Sequence, residues 1–333
     1  MKRNWLSTIV LLLVLSLFLA ACGDSGDEEA SGDGDSGDSE DTGGADPEYI
    51  SFLTGGTSGT YYPLGGAIAK IISDETDIQP DAVSSNASAD NIIALRDGEA
   101  EIAFTQTDVA ADAAEGINAF DEPIESVLGL GSLYPETIQI VTVDGSGIET
   151  VDDLAGKKVS VGAPGSGTYI NAEQILEVHG MTMDDIEAQN LDFGESAGGI
   201  KDGNIDAAFI TAGTPTGAVE ELQATSDVVI LPIDEDKAEE LIDKYPYYAT
   251  DVIPEGTYDL EEDLHTVAVL AMIVVTEDLS EDAVYDMTKA IYENSDDIAH
   301  AKAELISIDS ALDGIGIDIH PGAQKYYDEE GLE

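Results

Sequence analysis

Two glycine-rich turns, each set between an apolar run and a helical pattern, most constrain how this chain can fold. The first is Thr54-Gly55-Gly56-Thr57-Ser58-Gly59-Thr60-Tyr61-Tyr62-Pro63-Leu64-Gly65. The second is Gly162-Ala163-Pro164-Gly165-Ser166-Gly167-Thr168-Tyr169. Glycine lets a backbone approach a ligand closely. The first amides of a helix have no internal acceptor and favour an anion. Neither turn carries the GxxxxGK[ST] pattern, so nucleotide hydrolysis is not indicated. On the residues alone, the first turn fits two readings equally: an anion-binding loop, or an N-cap turn whose tyrosines pack into the core.

Short apolar runs recur at 49–53, 102–106, 127–133, 137–143, 158–161, 207–210, 228–231 and 266–276. Helical periodicity lies between them. Over 62–73 it aligns Leu64, Ile68, Ile71 and Ile72, and over 282–295 Val284, Met287 and Ile291; 89–97 and 171–179 behave similarly. Strands alternating with helices predict an α/β fold built of βα units and parallel sheets. About 285 residues after the N-terminal region suit two domains better than one core. The runs 137–143 and 266–276 are the natural crossings, which predicts lobe 1 at 49–140 plus 266–333 and lobe 2 at 141–265. The cleft between them is the expected ligand site.

Other candidates follow strands in the same way. Ser84-Ser85-Asn86-Ala87-Ser88 precedes a helix, Gln106-Thr107-Asp108 follows a strand, and so does Thr211-Ala212-Gly213-Thr214-Pro215. In open α/β sheets ligands sit beyond the carboxyl ends of strands. Catalytic signatures are missing. His179, His265, His300 and His320 have no metal spacing, and no GxSxG elbow occurs. No enzyme, metal or cofactor is predicted. Arg96 is the single arginine after residue 3, and its helix-end position suggests surface pairing. An anionic ligand would then depend on amides and hydroxyls, with Lys157 or Lys158 as the outside candidates.

The N-terminus predicts an address. Lys2 and Arg3 precede an apolar run from Trp5 to Ala21, the pattern of a secretory signal peptide. Leu19-Ala20-Ala21-Cys22 resembles a bacterial lipobox, in which the chain is cut before the cysteine and the cysteine is lipidated. Cys22 is the only cysteine, so no internal disulfide is possible. Residues 23–48 hold 11 acids and no base, and read as a flexible acidic tether. The expected location is outside the cell membrane, on a lipid anchor.

Charge is extreme: 70 acids against 12 bases give −58. This argues against nucleic acid or anionic headgroups as partners. At about 1 M salt the Debye length is roughly 3 Å, which screens the self-repulsion. The composition reads as adaptation to a salty, halophilic setting.

The blocks FLTGGTSGTYYPLGGAIAK, NASADNIIALRDGEAEIAFTQTD, VGAPGSGTYINAEQIL, DAAFITAGTPTGAV and HPGAQKYYDEEG resemble the TAXI family of TRAP-transporter solute receptors. The resemblance implies a type II periplasmic-binding-protein fold with two α/β lobes around a ligand cleft. It also implies TRAP permease subunits, commonly fused, as membrane partner, and glutamate, glutamine or another small carboxylate as solute. Carried over by motif, the ligand-binding residues are Thr57, Ser58, Tyr61, Ser85, Asn86, Ser88, Gln106, Asp108, Ser166, Gly167, Thr168, Ala212, Gly213 and Pro215. Asn91 matches a Ser-x-x-Asn step and is read as a helix brace. His320, Tyr326 and Tyr327 are read as packing. The alternative is a type II binding protein serving an ABC importer or a sensor.

Overall fold

The structure, a computed structural model, describes residues 48–332. The signal peptide, Cys22 and all of the tether but Glu48 lie outside the described residues. Among the described residues no helix is long and apolar enough to cross a membrane.

The first half of the chain runs β1 (Tyr49–Leu53), α1 (Tyr61–Glu75), β2 (Gln79–Val83), α2 (Ser88–Arg96), β3 (Ile102–Gln106) and α3 (Thr107–Glu115). A long strand, β4 (Val127–Val143), leads into the second half. There follow β5 (Lys158–Ser160), α4 (Gly167–Val178), β6 (Glu187–Gln189), α5 (Phe193–Lys201), β7 (Ala207–Ala212) and α6 (Gly217–Gln223). Then come β8 (Val228–Leu231), α7 (Glu235–Lys244) and β9 (Ala249–Ile253). Strand β10 (Leu264–Thr276) returns, and α8 (Glu281–Glu293) and α9 (Pro321–Glu330) finish the chain.

The sheet order is β2-β1-β3-β10-β4-β7-β5-β6, with β8 also on β4 and β9 on β10. β1 is parallel to β2 and β3, and β5 is parallel to β6 and β7. β4 and β10 run antiparallel to each other and to their other neighbours. Two parallel βα groups are thus joined through one antiparallel pair.

Side chains alternate between the two faces of each strand, and each half buries both faces. In the first half Ile102 and Phe104 pack with Ile68, Ile72, Met287 and Ile291, whereas Ala103 packs with Ile92, Leu95 and Val109. In the second half Ile140 packs with Ile175, Leu176 and Leu241, whereas Val141 packs with Ile200, Val219 and Leu222. Helices on both faces of a parallel sheet explain the short, nearly continuous apolar runs.

The structure corrects one expectation. The runs 127–133 and 137–143 are a single 17-residue strand. Tyr134-Pro135-Glu136 interrupts the apolar pattern but not the backbone, and Pro135 pairs with Leu270 of β10. Proline donates no hydrogen bond, and the β4–β10 register shifts nearby, between Ala271 and Met272.

Candidate functional site

The turns after β1, β2, β3, β5, β6 and β7 meet at one place, because all six strands belong to parallel groups that end there. They surround a cavity of about 50 Å³, room for about four waters and so for a small solute.

From the first half, Gly55, Gly56, Gly59, Thr60 and Tyr61 line it, together with Ser85, Asn86, Ala87, Ser88 and Gln106. From the second, the lining comprises Ala163, Ser166, Gly167, Thr168, Asp192, Phe193, Thr211 and Ala212. Glu136 of β4 completes it. The sequence-derived residues Tyr61, Ser85, Asn86, Ser88, Gln106, Ser166, Gly167, Thr168 and Ala212 are therefore brought together.

Five others lie outside the lining, each for a visible reason. Thr57 is exposed at the tip of its turn. Ser58 spends its carbonyl on the far half, accepting from the Ala218 amide at 3.0 Å. Asp108 is buried, and its Oδ2 accepts from Asn171 Nδ2 at 3.0 Å. Gly213 accepts from the Thr60 hydroxyl at 3.2 Å and packs against the stem of Lys302. Pro215 is exposed beyond it.

These same contacts hold the two sides of the cavity together. The Ala89 and Asp90 amides at the start of α2 both donate to the Gly165 carbonyl, at 3.0 and 3.2 Å. That helix start therefore grips the opposite turn and is not open to an anion. The turn before it is strained: Ala87 has φ 70° and ψ −176°, a region almost confined to glycine, and such strain clusters at functional sites. Asn91 braces the turn from behind, donating to the Thr54 carbonyl at 2.9 Å and the Phe104 carbonyl at 2.8 Å.

Gly167 has no room for a side chain. A Cβ there would lie 1.9 Å from Gln106 Oε1. At Gly162 the backbone takes φ +91°, which only glycine holds without strain. Ser166 caps α4 by accepting from the Tyr169 amide at 3.3 Å.

Glu136 is the residue that sequence reasoning missed. It is 2% exposed, and its Oε2 accepts from the Tyr61 hydroxyl at 2.7 Å. Burial raises its pKa to about 8, with the neighbouring Tyr61 and Gln106 side chains pulling the other way. Burial likewise raises Asp108 to about 7, with Asp112 adding to the rise. The available signal was that Glu136 is the lone acid in a 17-residue strand of mostly apolar residues. Phe193 and Asp192 were also missed. The Glu195 amide donates to Asp192 Oδ1 at 2.8 Å and the Asp192 amide donates to Glu195 Oε2 at 3.3 Å, a capping box at the start of α5 readable as Asp-x-x-Glu.

Among the described residues, no Lys or Arg lines the cavity. Lys158 is exposed, Lys157 is half-buried, and both stand at the start of β5, at the opposite end from the lining turn. Lys302 is the cation placed near Glu136 and Asp251, and burial lowers its pKa. Arg96 pairs with Asp97 on the surface at 2.8 Å, as read from its position. No group of three or more potential metal ligands gathers among the described residues.

The family model of NMT1-like proteins matches residues 52–331. The chain belongs to the NMT1-like family. Solved structures show the fold of this NMT1-like chain. A protein from Bordetella bronchiseptica RB50 is 18% identical, with a TM-score of 0.54 over 85% of this chain and 82% of its own. A periplasmic transporter is 14% identical, with a TM-score of 0.54 over 84% of this chain and 94% of its own. The architecture is the mixed α/β fold of these structures, and the cavity lies where its two sets of turns face each other.

Proposed function

We propose that this protein is a non-enzymatic, extracytoplasmic solute-binding receptor, which captures a small organic solute and hands it to a membrane permease. One observation carries the reading: glycine-rich turns from both halves of the sheet line a single small cavity. The lobes we assign are 49–140 plus 266–333 and 141–265, with β4 and β10 as the crossings. A solute touching both turns binds the closed arrangement better than the open one. That differential affinity is all that closure requires.

Tyr61, Ser85, Asn86, Ser88, Gln106, Ser166, Gly167, Thr168 and Ala212 are assigned to the solute, joined by Glu136. Thr57, Ser58, Asp108, Gly213 and Pro215 are assigned to the frame around it. Glutamate, glutamine or a comparably small carboxylate is the solute class that the TAXI resemblance implies. That resemblance likewise implies a TRAP permease as the partner. An ABC-type importer is the alternative, and the NMT1-like match supports it better than it supports a TRAP permease. Lipidation at Cys22, an acidic tether and a saline habitat complete the reading, each on its sequence pattern.

Isothermal titration in molar salt against glutamate, glutamine and small dicarboxylates tests the capture role. Saturable heat with one class is expected. No heat from any of them, with no solute copurifying, would overturn it. Crosslinking to membrane partners, followed by mass spectrometry, separates a TRAP permease from an ABC one.

A further inference from the structure

We propose that Glu136 selects a solute bearing a positively charged N–H donor group, so that amine-bearing solutes are preferred over their amine-free counterparts. This rests on the receptor reading above and deepens it.

The cavity is lined by several acceptor oxygens, two carboxylates and a carboxamide among them. Glu136 is 2% exposed and lines it. Gln106 Oε1 and Thr211 Oγ1 are buried in the same lining with no hydrogen-bond partner. Asp192 adds a second carboxylate, and among the described residues no Lys or Arg in the lining offsets either. A buried polar group without a partner is costly. A wholly anionic solute would set acceptor against acceptor here. An ammonium group supplies several donors and one positive charge. The carboxylate end of such a solute is left to the Thr168 hydroxyl and the first amides at Tyr61 and Gly167–Thr168.

The groups facing Glu136 decide how protons enter. The Tyr61 hydroxyl donates to it, Gln106 lies beside it, Asp108 of α3 and Lys302 of the 301–305 turn act on it by charge, and Tyr134 of β4 feels its charge in turn. Lys302 favours the carboxylate by charge but forms no ion pair within 4.0 Å among the described residues, so its compensation is partial. Burial makes Glu136 hold its proton near neutrality. A cationic group arriving beside it favours the carboxylate and expels that proton to solvent.

Titration of matched probes in 2 M NaCl at pH 7 tests this: L-glutamate against 2-oxoglutarate, and L-aspartate against succinate. Paired buffers of different ionisation heat count the protons released. Expected is tighter binding of the amine-bearing member by roughly 100-fold, with about one proton released. Glu136→Gln is expected to abolish the release and cut the preference below about tenfold. Equal or tighter binding of the amine-free member, or wild-type binding without proton release, would overturn the inference alone. No binding by any probe and no copurifying solute would overturn it together with the receptor reading.

Discussion

The Tyr61 hydroxyl donates to Glu136 Oε2 at 2.7 Å, joining the first helical residue of α1 to the one acid of β4. The Tyr61 ring stacks on Phe104 with centroids 4.6 Å apart, so the hydroxyl is aimed by packing. This bond pulls the Glu136 pKa down against burial. Tyr61→Phe keeps the stack and removes the donor. Glu136 should then hold its proton more tightly, and solute affinity at pH 7 should fall by roughly tenfold. Affinity should recover as pH rises past about 8. Titration calorimetry across pH 6–9.5 measures both.

Gly167 and Gln106 come from opposite halves and meet without space for a Cβ. Gly167→Ala should push the Gln106 carboxamide into the cavity. Solute affinity should fall more than about tenfold, and overpacking should cost about 1–3 kcal/mol of stability. Urea unfolding with and without solute separates the two losses.

Asp108 and Glu136 are held at about 7 and about 8, chiefly by burial. Both values lie above the unfolded range of about 4. A carboxyl raised in the folded state contributes stability below its unfolded pKa, and that contribution is lost as pH rises through the folded pKa. Thermal midpoints in 2 M NaCl should therefore fall from pH 5 to pH 9. The Asp108→Asn, Glu136→Gln double variant should show a clearly shallower fall.

The net charge of −58 predicts a salt-dependent fold. Between 0.1 M and 1 M salt the Debye length drops from about 10 Å to about 3 Å. The thermal midpoint should rise steeply over that range with NaCl and KCl alike. Differential scanning calorimetry measures it, and a flat response would contradict the halophilic reading.

The parallel βα groups and their turns were legible because glycine, serine and threonine sit directly after apolar runs, at 54–60, 162–168 and 211–215. The polar strands were not. β2 is Gln-Pro-Asp-Ala-Val, and its residues are exposed or half-buried at an edge, so no apolar alternation marked it. β6 is three residues long and equally polar. Glu136 was hidden by the same logic. Pro135 broke the pattern into two runs and left the acid between them as if in a loop. Its place beside Tyr61 depends on β10 carrying β4 through the proline, a pairing of Pro135 with Leu270, 135 positions away, that local patterns do not contain. Asp108 and Ser58 were legible as neighbours of the site. Their roles as inter-half contacts depend on Asn171 and Ala218, from helices α4 and α6 far along the chain.

The central claim is tested most directly by a crystal structure of the protein purified in molar salt, with its solute identified by mass spectrometry of the same sample. The account requires solute density between the Gly59–Tyr61 turn and the Ser166–Thr168 turn, with a solute nitrogen beside Glu136. Density confined to one half, a solute lying outside this cavity, or an empty cavity with no copurifying solute would contradict it.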